Sequence, residues 1–244
     1  MGIEYFPELI QGSDEWLQAR CGLLTASEMK RIITPKTLKA AADDKASCHL
    51  YELLAQRITG YVEPSYISDD MLRGHEDEAY AKIAYNATYG PVDEMGFITN
   101  DRWGFTLGFS PDGLIHDTGF IEVKSRCQKY QVATILFGEP PADYLLQIQT
   151  GFLVSERAWC DFISTPATCQ PKGMGGGESL GDGPPMVVYR VYPDDAVMAA
   201  IIDAAGAFEA KLSTKLAEYR ATLSRTGARL IQTERRKIDQ EIVA

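Results

Sequence analysis

The sequence predicts an α/β protein with a central mixed β-sheet and helices on both sides. Runs rich in β-branched and aromatic residues at 94–99, 105–109, 120–125, 158–164 and 186–192 read as strands. Stretches with apolar residues at helical spacing lie before, between and after them. At 244 residues and 45% hydrophobic, the chain can bury a substantial core. We expect one domain over 1–244, with a helical C-terminal region from about 194 to 244.

The elements follow in order. Ser13 is a good N-cap for a first helix with early acids at Asp14 and Glu15, and Gly22 stops it. Helix restarts at Thr25-Ala26-Ser27-Glu28. Residues 31–47 mix basic and polar side chains, including Lys36 and Lys39, and read as a mobile loop. Leu50, Leu53, Leu54 and Ile58 fall at core-facing helical spacing. Ser68-Asp69-Asp70 opens a long helix toward Tyr89, with Gly90 as its stop. Helices are expected at 128–137 and 142–154, and a long one from Asp194 through Phe208 and Leu216. The glycine- and proline-rich segment 173–185 reads as a loop, and the charged tail after Gly227 is compatible with helix.

Composition narrows the function. No apolar stretch is long enough to span a bilayer, and the N-terminus lacks the order of a signal peptide. Five cysteines are scattered, odd in number and free of C-x-x-C spacing, which suits reduced cytoplasmic thiols. Only three histidines are present, so oxygen ligands, and hence Mg²⁺ or Mn²⁺, fit a metal site better than imidazoles. The net charge of −10 argues against broad adhesion to nucleic acid and restricts any DNA contact to a localised track.

Two short runs carry the chemistry. Asp112 sits at a turn signal, Pro111-Asp112-Gly113, after the 105–109 strand. Glu122 and Lys124 are alternate residues of the next strand and therefore share a face. If these strands pair, Asp112 lands near Glu122. Two carboxylates and an ammonium then converge, which suits a hard divalent cation beside a charge that stabilises an anionic transition state. A solvated hairpin with a surface ion pair is the competing reading of the motif alone.

A third run, from Gly12 through Trp16, Arg20, Gly22 and Thr25-Ala26-Ser27, is too specific to be composition. Together with Ser110-Pro111-Asp112-Gly113 and Glu122-Val123-Lys124 it resembles the lambda exonuclease-like (YqaJ) phage recombination nucleases of the PD-(D/E)xK superfamily. The likeness continues through Gly74 to Glu78 and through Tyr144 to Gln149, and ends near Phe162. It implies a restriction-endonuclease-like core in which Asp112 and Glu122 ligand Mg²⁺. Lys124 would lie beside the attacked phosphate, and Glu78 would assist the metal site. Arg20, Ser27, Ser110 and Gln147 would hold the 5′-phosphate of the recessed strand. Met71, with Leu72 beside it, aligns with a strand-separating wedge, although Met is softer than a branched aliphatic side chain.

The resemblance implies a 5′-to-3′ exonuclease on linear duplex DNA that releases 5′-mononucleotides and leaves a 3′ overhang. It further implies a homotrimeric ring, a single-strand annealing partner and a phage or prophage setting in a bacterial cytoplasm. An endonuclease on the same core, and a non-catalytic DNA-end-binding protein, are the alternatives. Individual residues have plainer readings too. Arg20 could be a surface ion-pair partner and Glu78 part of a solvated acidic face. Ser27 could be a helix cap, Trp16 a core anchor, and Gln147 and Gln149 partners for buried backbone groups.

Overall fold

The computed structural model describes residues 2–41, 43–64, 69–167, 181–225, 227 and 229–235. Eight strands form two four-stranded mixed sheets flanked by helices. The first sheet has the order β1-β3-β4-β2, from Ile3–Phe6 (β1), Leu24–Thr25 (β2), Phe97–Asn100 (β3) and Leu107–Phe109 (β4). The second runs β5-β6-β7-β8, from Gly113–Ile115 (β5), Gly119–Arg126 (β6), Trp159–Pro166 (β7) and Val187–Val191 (β8). Each sheet mixes orientations: β2 lies parallel to β4 and β6 parallel to β7, while the other pairings are antiparallel. The α/β architecture expected from the sequence is present, with its strands divided between two sheets.

The pairing that sets up the site differs in detail from the sequence expectation. The 105–109 strand does not pair with the Glu122 strand. The 105–109 run, β4, pairs with β3 and β2, and the antiparallel partner of the Glu122 strand is β5, through Gly113↔Ile121 and Leu114↔Phe120. Asp112 is thus delivered by the turn between β4 and β5, and it still arrives beside β6.

The helices are Asp14–Arg20 (α1), Asp43–Thr59 (α2), Asp69–Tyr89 (α3), Gln128–Phe137 (α4), Ala142–Ser155 (α5) and Asp195–Arg225 (α6). A 3₁₀ turn at Ala26–Arg31 replaces the expected α-helical restart. The 31–47 segment is not the loop its composition suggests. Ile33 bridges Ala40, the Thr34 N–H donates to the Lys39 carbonyl at 2.8 Å, and α2 has already begun at Asp43. After Gly227 the described tail, 229–235, is not helical. The segment 173–185 lies largely outside the described residues, as do Ser68 and Cys169.

Side-chain alternation on β6 gives its two faces different neighbours. Ile121 and Val123 pack with Ala81 and Tyr85 of α3 and with Ile163. Phe120 turns the other way, to Phe109, Phe152 of α5 and Phe162. Glu122 and Lys124 share that second face. Gly151 lets α5 approach closely, because a Cβ there would stand 2.8 Å from the Phe109 ring and 3.0 Å from Phe120. Truncating Phe120, which is fully buried, would cost about 3–5 kcal/mol.

Candidate active site

Strand β6 brings Glu122 in on a fully buried position with Lys124 two residues on. The Lys124 ammonium is bonded to Glu122 Oε1. The same oxygen accepts from Gln147 Nε2 of α5 at 2.6 Å. The other oxygen, Oε2, is buried and has no hydrogen-bond partner. A buried carboxylate oxygen left open is costly unless something is meant to sit on it. Asp112 anchors itself from the preceding turn, its Oδ2 accepting the Val123 N–H at 2.6 Å. This bond ties the turn to the strand between the two other motif residues.

The charges crowd one another. Burial, followed by the charges of Glu122 and Glu78, raises the Asp112 carboxyl well above the usual range, despite Lys124 and the Val123 N–H. Burial raises Glu122 as well, with Lys124 pulling the other way. Burial alone would lower Lys124, yet Glu122 and Asp112 hold its proton more tightly than an ordinary lysine's. Such a set suits a cation that neutralises the acids. The open Glu122 oxygen and the nearby Asp112 are an all-oxygen donor set that fits Mg²⁺ or Mn²⁺.

Helix α3 supplies the next layer. Glu78 Oε1 is 3.0 Å from Lys82 Nζ, and Lys82 also reaches Glu94 at 3.3 Å. Glu78 and Lys82 line an open groove together with His75, Asn86 and Glu94. Burial would lower Lys82, but Glu78, Glu94 and Asp112 together raise it. Asp77, next to Glu78, turns inward and accepts from Ser125 Oγ at 2.5 Å. The acidic cluster on this helix therefore divides between the groove and the sheet. Leu72 is exposed near the start of α3, while the Met71 side chain lies outside what the structure describes.

A second group of side chains gathers around Arg20. Its guanidinium lies 4.1 Å over the Trp16 ring and donates to Ser110 Oγ at 3.4 Å and Thr25 Oγ1 at 3.2 Å. Thr25 in turn lies 3.5 Å from Ser27 Oγ. Ser110 Oγ also accepts from Trp16 Nε1 at 2.9 Å, so its own O–H is free to donate. Burial lowers Arg20 to about 10, against the countering charge of Glu28. Among the described residues no carboxylate forms an ion pair with Arg20. A half-buried guanidinium held by hydroxyls and by the Trp16 and Phe97 rings is prepared for an anion.

The structure thus brings Asp112, Glu122, Lys124 and Gln147 together, with Glu78 in electrostatic range. It brings Arg20, Ser27 and Ser110 together in a second group. Gln147 donates to Glu122 in this structure. Gln149, two residues on, takes the plainer role: it donates to the Tyr192 carbonyl at 2.9 Å and accepts the Asp194 N–H at 2.8 Å. Trp16 is both an anchor, donating to the Gly96 carbonyl at 3.1 Å, and the floor under Arg20. Sequence reasoning missed Thr25 and Lys82. Thr25 stands two residues before Ser27 in a segment already singled out, and Lys82 is one helical turn after Glu78.

Elsewhere, Glu28, His49 and Glu52 present ligand atoms within 4.8 Å of one another where the 3₁₀ turn meets α2. Glu52 is already balanced there by Arg31 at 2.5 Å and the His49 ring at 3.0 Å. We read this group as an ion network joining two elements. Among the described residues no helix is long and apolar enough to cross a membrane.

Residues 15–158 match the YqaJ-like viral recombinase domain. In fold the chain is similar to the alkaline exonuclease LHK-Exo from Laribacter hongkongensis, with a TM-score of 0.72 and 31% identity over 87% of this chain and 99% of that one. The structure of LHK-Exo in complex with dAMP gives a TM-score of 0.73 and 33% identity over the same shares, 87% and 99%. A phage related exonuclease from Haemophilus somnus 129PT shares the fold, with a TM-score of 0.56 at 13% identity over 81% of this chain and 96% of that one. No curated protein matches the chain. The domain match spans more than half of the chain and contains every candidate site residue named above, so this protein belongs to the YqaJ-like, lambda exonuclease-like family of viral recombinase domains, on a PD-(D/E)xK fold.

Proposed function

We propose that this chain is a divalent-metal-dependent exonuclease that digests one strand of linear duplex DNA from its 5′ end, releasing 5′-mononucleotides and leaving a 3′ overhang. The observation that carries the reading is the open, buried Oε2 of Glu122, beside Asp112 and Lys124. The likeness to the alkaline exonuclease LHK-Exo supports it, and the dAMP in the second LHK-Exo structure suits a mononucleotide product.

Asp112 and Glu122 would hold Mg²⁺, with Mn²⁺ as a substitute. The ion supplies Lewis-acid activation of water and charge neutralisation at the phosphate. Gln147 fixes the rotamer of Glu122 from α5. Lys124, tethered to Glu122, is placed to give its ammonium to the phosphoryl oxygens as negative charge builds. Glu78 would complete the acidic set from α3, with Lys82 limiting its repulsion of Asp112.

Arg20, Ser27 and Ser110 take the 5′-phosphate, and Gln147 is the fourth member on the carboxylate side. Recognising that phosphate fixes which strand is cut and from which end. Met71 and Leu72 remain the candidates for separating the strands. The whole chain would act as one nuclease unit, in a homotrimeric ring that works with a single-strand annealing protein. Light scattering would test the ring: a mass near the 27.0 kDa of one chain, unchanged by DNA and Mg²⁺, removes it.

A time course on linear duplex labelled at the 5′ or the 3′ end, with and without Mg²⁺, tests the reading. It requires early loss of the 5′ label as mononucleotide, dependence on the metal, and no nicking of closed circular duplex. Nicking of the closed circle would favour the endonuclease alternative, and no hydrolysis under any condition the end-binding one.

A further inference from the structure

Strand β6 does not end at Lys124. Arg126 is the next residue on the same face, so Glu122, Lys124 and Arg126 form a row with about 6.8 Å between successive members. Helix α5 lies opposite this row. Gln147 covers Glu122, and Tyr144, three residues earlier on α5, covers the next two. Lys124 Nζ lies 5.6 Å from the Tyr144 ring centre, and the Arg126 guanidinium lies 5.3 Å from it. The same guanidinium is 5.6 Å from the Tyr130 ring of α4, and Lys129 Nζ is 4.8 Å from that ring. Cations and tyrosines thus alternate outward from the metal carboxylates.

The row lacks the partners a structural arginine would have. Arg126 Nε is buried with no hydrogen-bond partner, and among the described residues no carboxylate forms an ion pair with it. In a chain of net charge −10, Arg126 and Lys129 meet at the Tyr130 ring, and among the described residues no acid forms an ion pair with either. Its backbone is fixed, the Arg126 carbonyl accepting the Ala167 N–H at 2.7 Å, so the side chain projects from a rigid strand. Tyr130 is half exposed at the outer end of the row. A planar donor between aromatic faces with unused N–H groups suits a phosphodiester, and exposed tyrosine suits a base.

We propose that Arg126 binds a backbone phosphate of the strand being digested, next along from the scissile one, with Tyr130 as a stacking surface at the rim. This rests on the nuclease reading of the Glu122 site. The contact would hold the strand in register as each nucleotide leaves, and it would confine DNA affinity to one narrow track on an acidic protein.

Steady-state digestion of linear duplex in Mg²⁺, over a series of salt concentrations, tests this with Arg126→Gln, Arg126→Lys and Glu122→Ala. Arg126→Gln is expected to raise KM about tenfold to hundredfold, with a smaller effect on kcat. The slope of log KM against log salt should fall by about one, as expected when one phosphate contact is lost. Arg126→Lys keeps the charge and should retain the slope, which a purely structural role would not predict. An unchanged salt slope in Arg126→Gln, or a loss confined to kcat, overturns the inference while an inactive Glu122→Ala leaves the nuclease reading standing. Hydrolysis by Glu122→Ala at the wild-type rate overturns both.

Discussion

Two buried carboxylates on neighbouring strands of one sheet have opposite fates. Asp161 of β7 pairs in register with Ile121, one residue before Glu122 on β6, and each acid is almost or wholly buried. Asp161 faces α3 and has a donor on each oxygen. Arg190 Nε and Nη2 donate to its two oxygens at 2.8 Å each, and the Tyr85 hydroxyl donates at 2.6 Å. Glu122 faces α5 and has donors on one oxygen only. Where both oxygens have donors, the buried charge holds the fold together. Where one oxygen is open beside a second acid, the charge awaits a ligand.

The largest effect that could break this comparison lies at the open acid. Glu122→Ala and Lys124→Ala should each abolish hydrolysis while the protein stays folded, as circular dichroism and a metal-dependent nuclease assay would show. Wild-type turnover by Glu122→Ala would remove the active-site assignment.

Arg20→Ala is expected to slow digestion of 5′-phosphorylated duplex much more than that of 5′-hydroxyl duplex. A charge-assisted contact contributes about 1.5–3 kcal/mol, or one to two decades in rate. An equal loss on the two substrates would make Arg20 a support for Trp16 and Ser110.

At Asp161 the effect should fall on stability. Asp161→Asn would weaken the Arg190 pair and the Tyr85 bond, at about 1–3 kcal/mol, discounted because Arg190 is about half exposed. Thermal melting should show a lower midpoint, with hydrolysis per folded molecule retained. Lost activity at an unchanged midpoint would reverse the roles of the two acids.

The smallest effect has the opposite sign. Folded Asp112 holds its proton to higher pH than the unfolded chain does, because burial, Glu122 and Glu78 disfavour its charge. The folded state then binds more protons, so stability falls as pH rises from the ordinary carboxylate range through the folded value. Asp112→Asn in the presence of a chelator removes this cost and should raise the melting midpoint by about 2–4 °C at neutral pH. The gain should vanish in acid. A lower midpoint at neutral pH would mean that the bond to the Val123 N–H outweighs the repulsion.

The reacting groups were legible because their chemistry demands fixed spacing. Glu122 and Lys124 must be alternate residues to share a face, and Asp112 needs a turn. The same residues could not reveal their pairing partner, since β5 is only three residues long and its pattern is overshadowed by the stronger 105–109 run. β1 escaped for a related reason: its partner β3 lies more than ninety residues away, and neither run carries a local signal of the pairing. The status of Asp161 was equally hidden, because its partners stand 76 and 29 positions off. Gln147 and Gln149 show the limit most plainly. Two glutamines two residues apart on one helix have unlike roles, and only the packing of α5 against β6 and the start of α6 separates them.

Calorimetric titration of Mn²⁺ into the wild-type protein, Glu122→Ala and Asp161→Asn tests the central claim most directly. Wild type and Asp161→Asn should bind the ion alike, and Glu122→Ala should not. Binding by Glu122→Ala with wild-type affinity, or its loss in a folded Asp161→Asn, would contradict it.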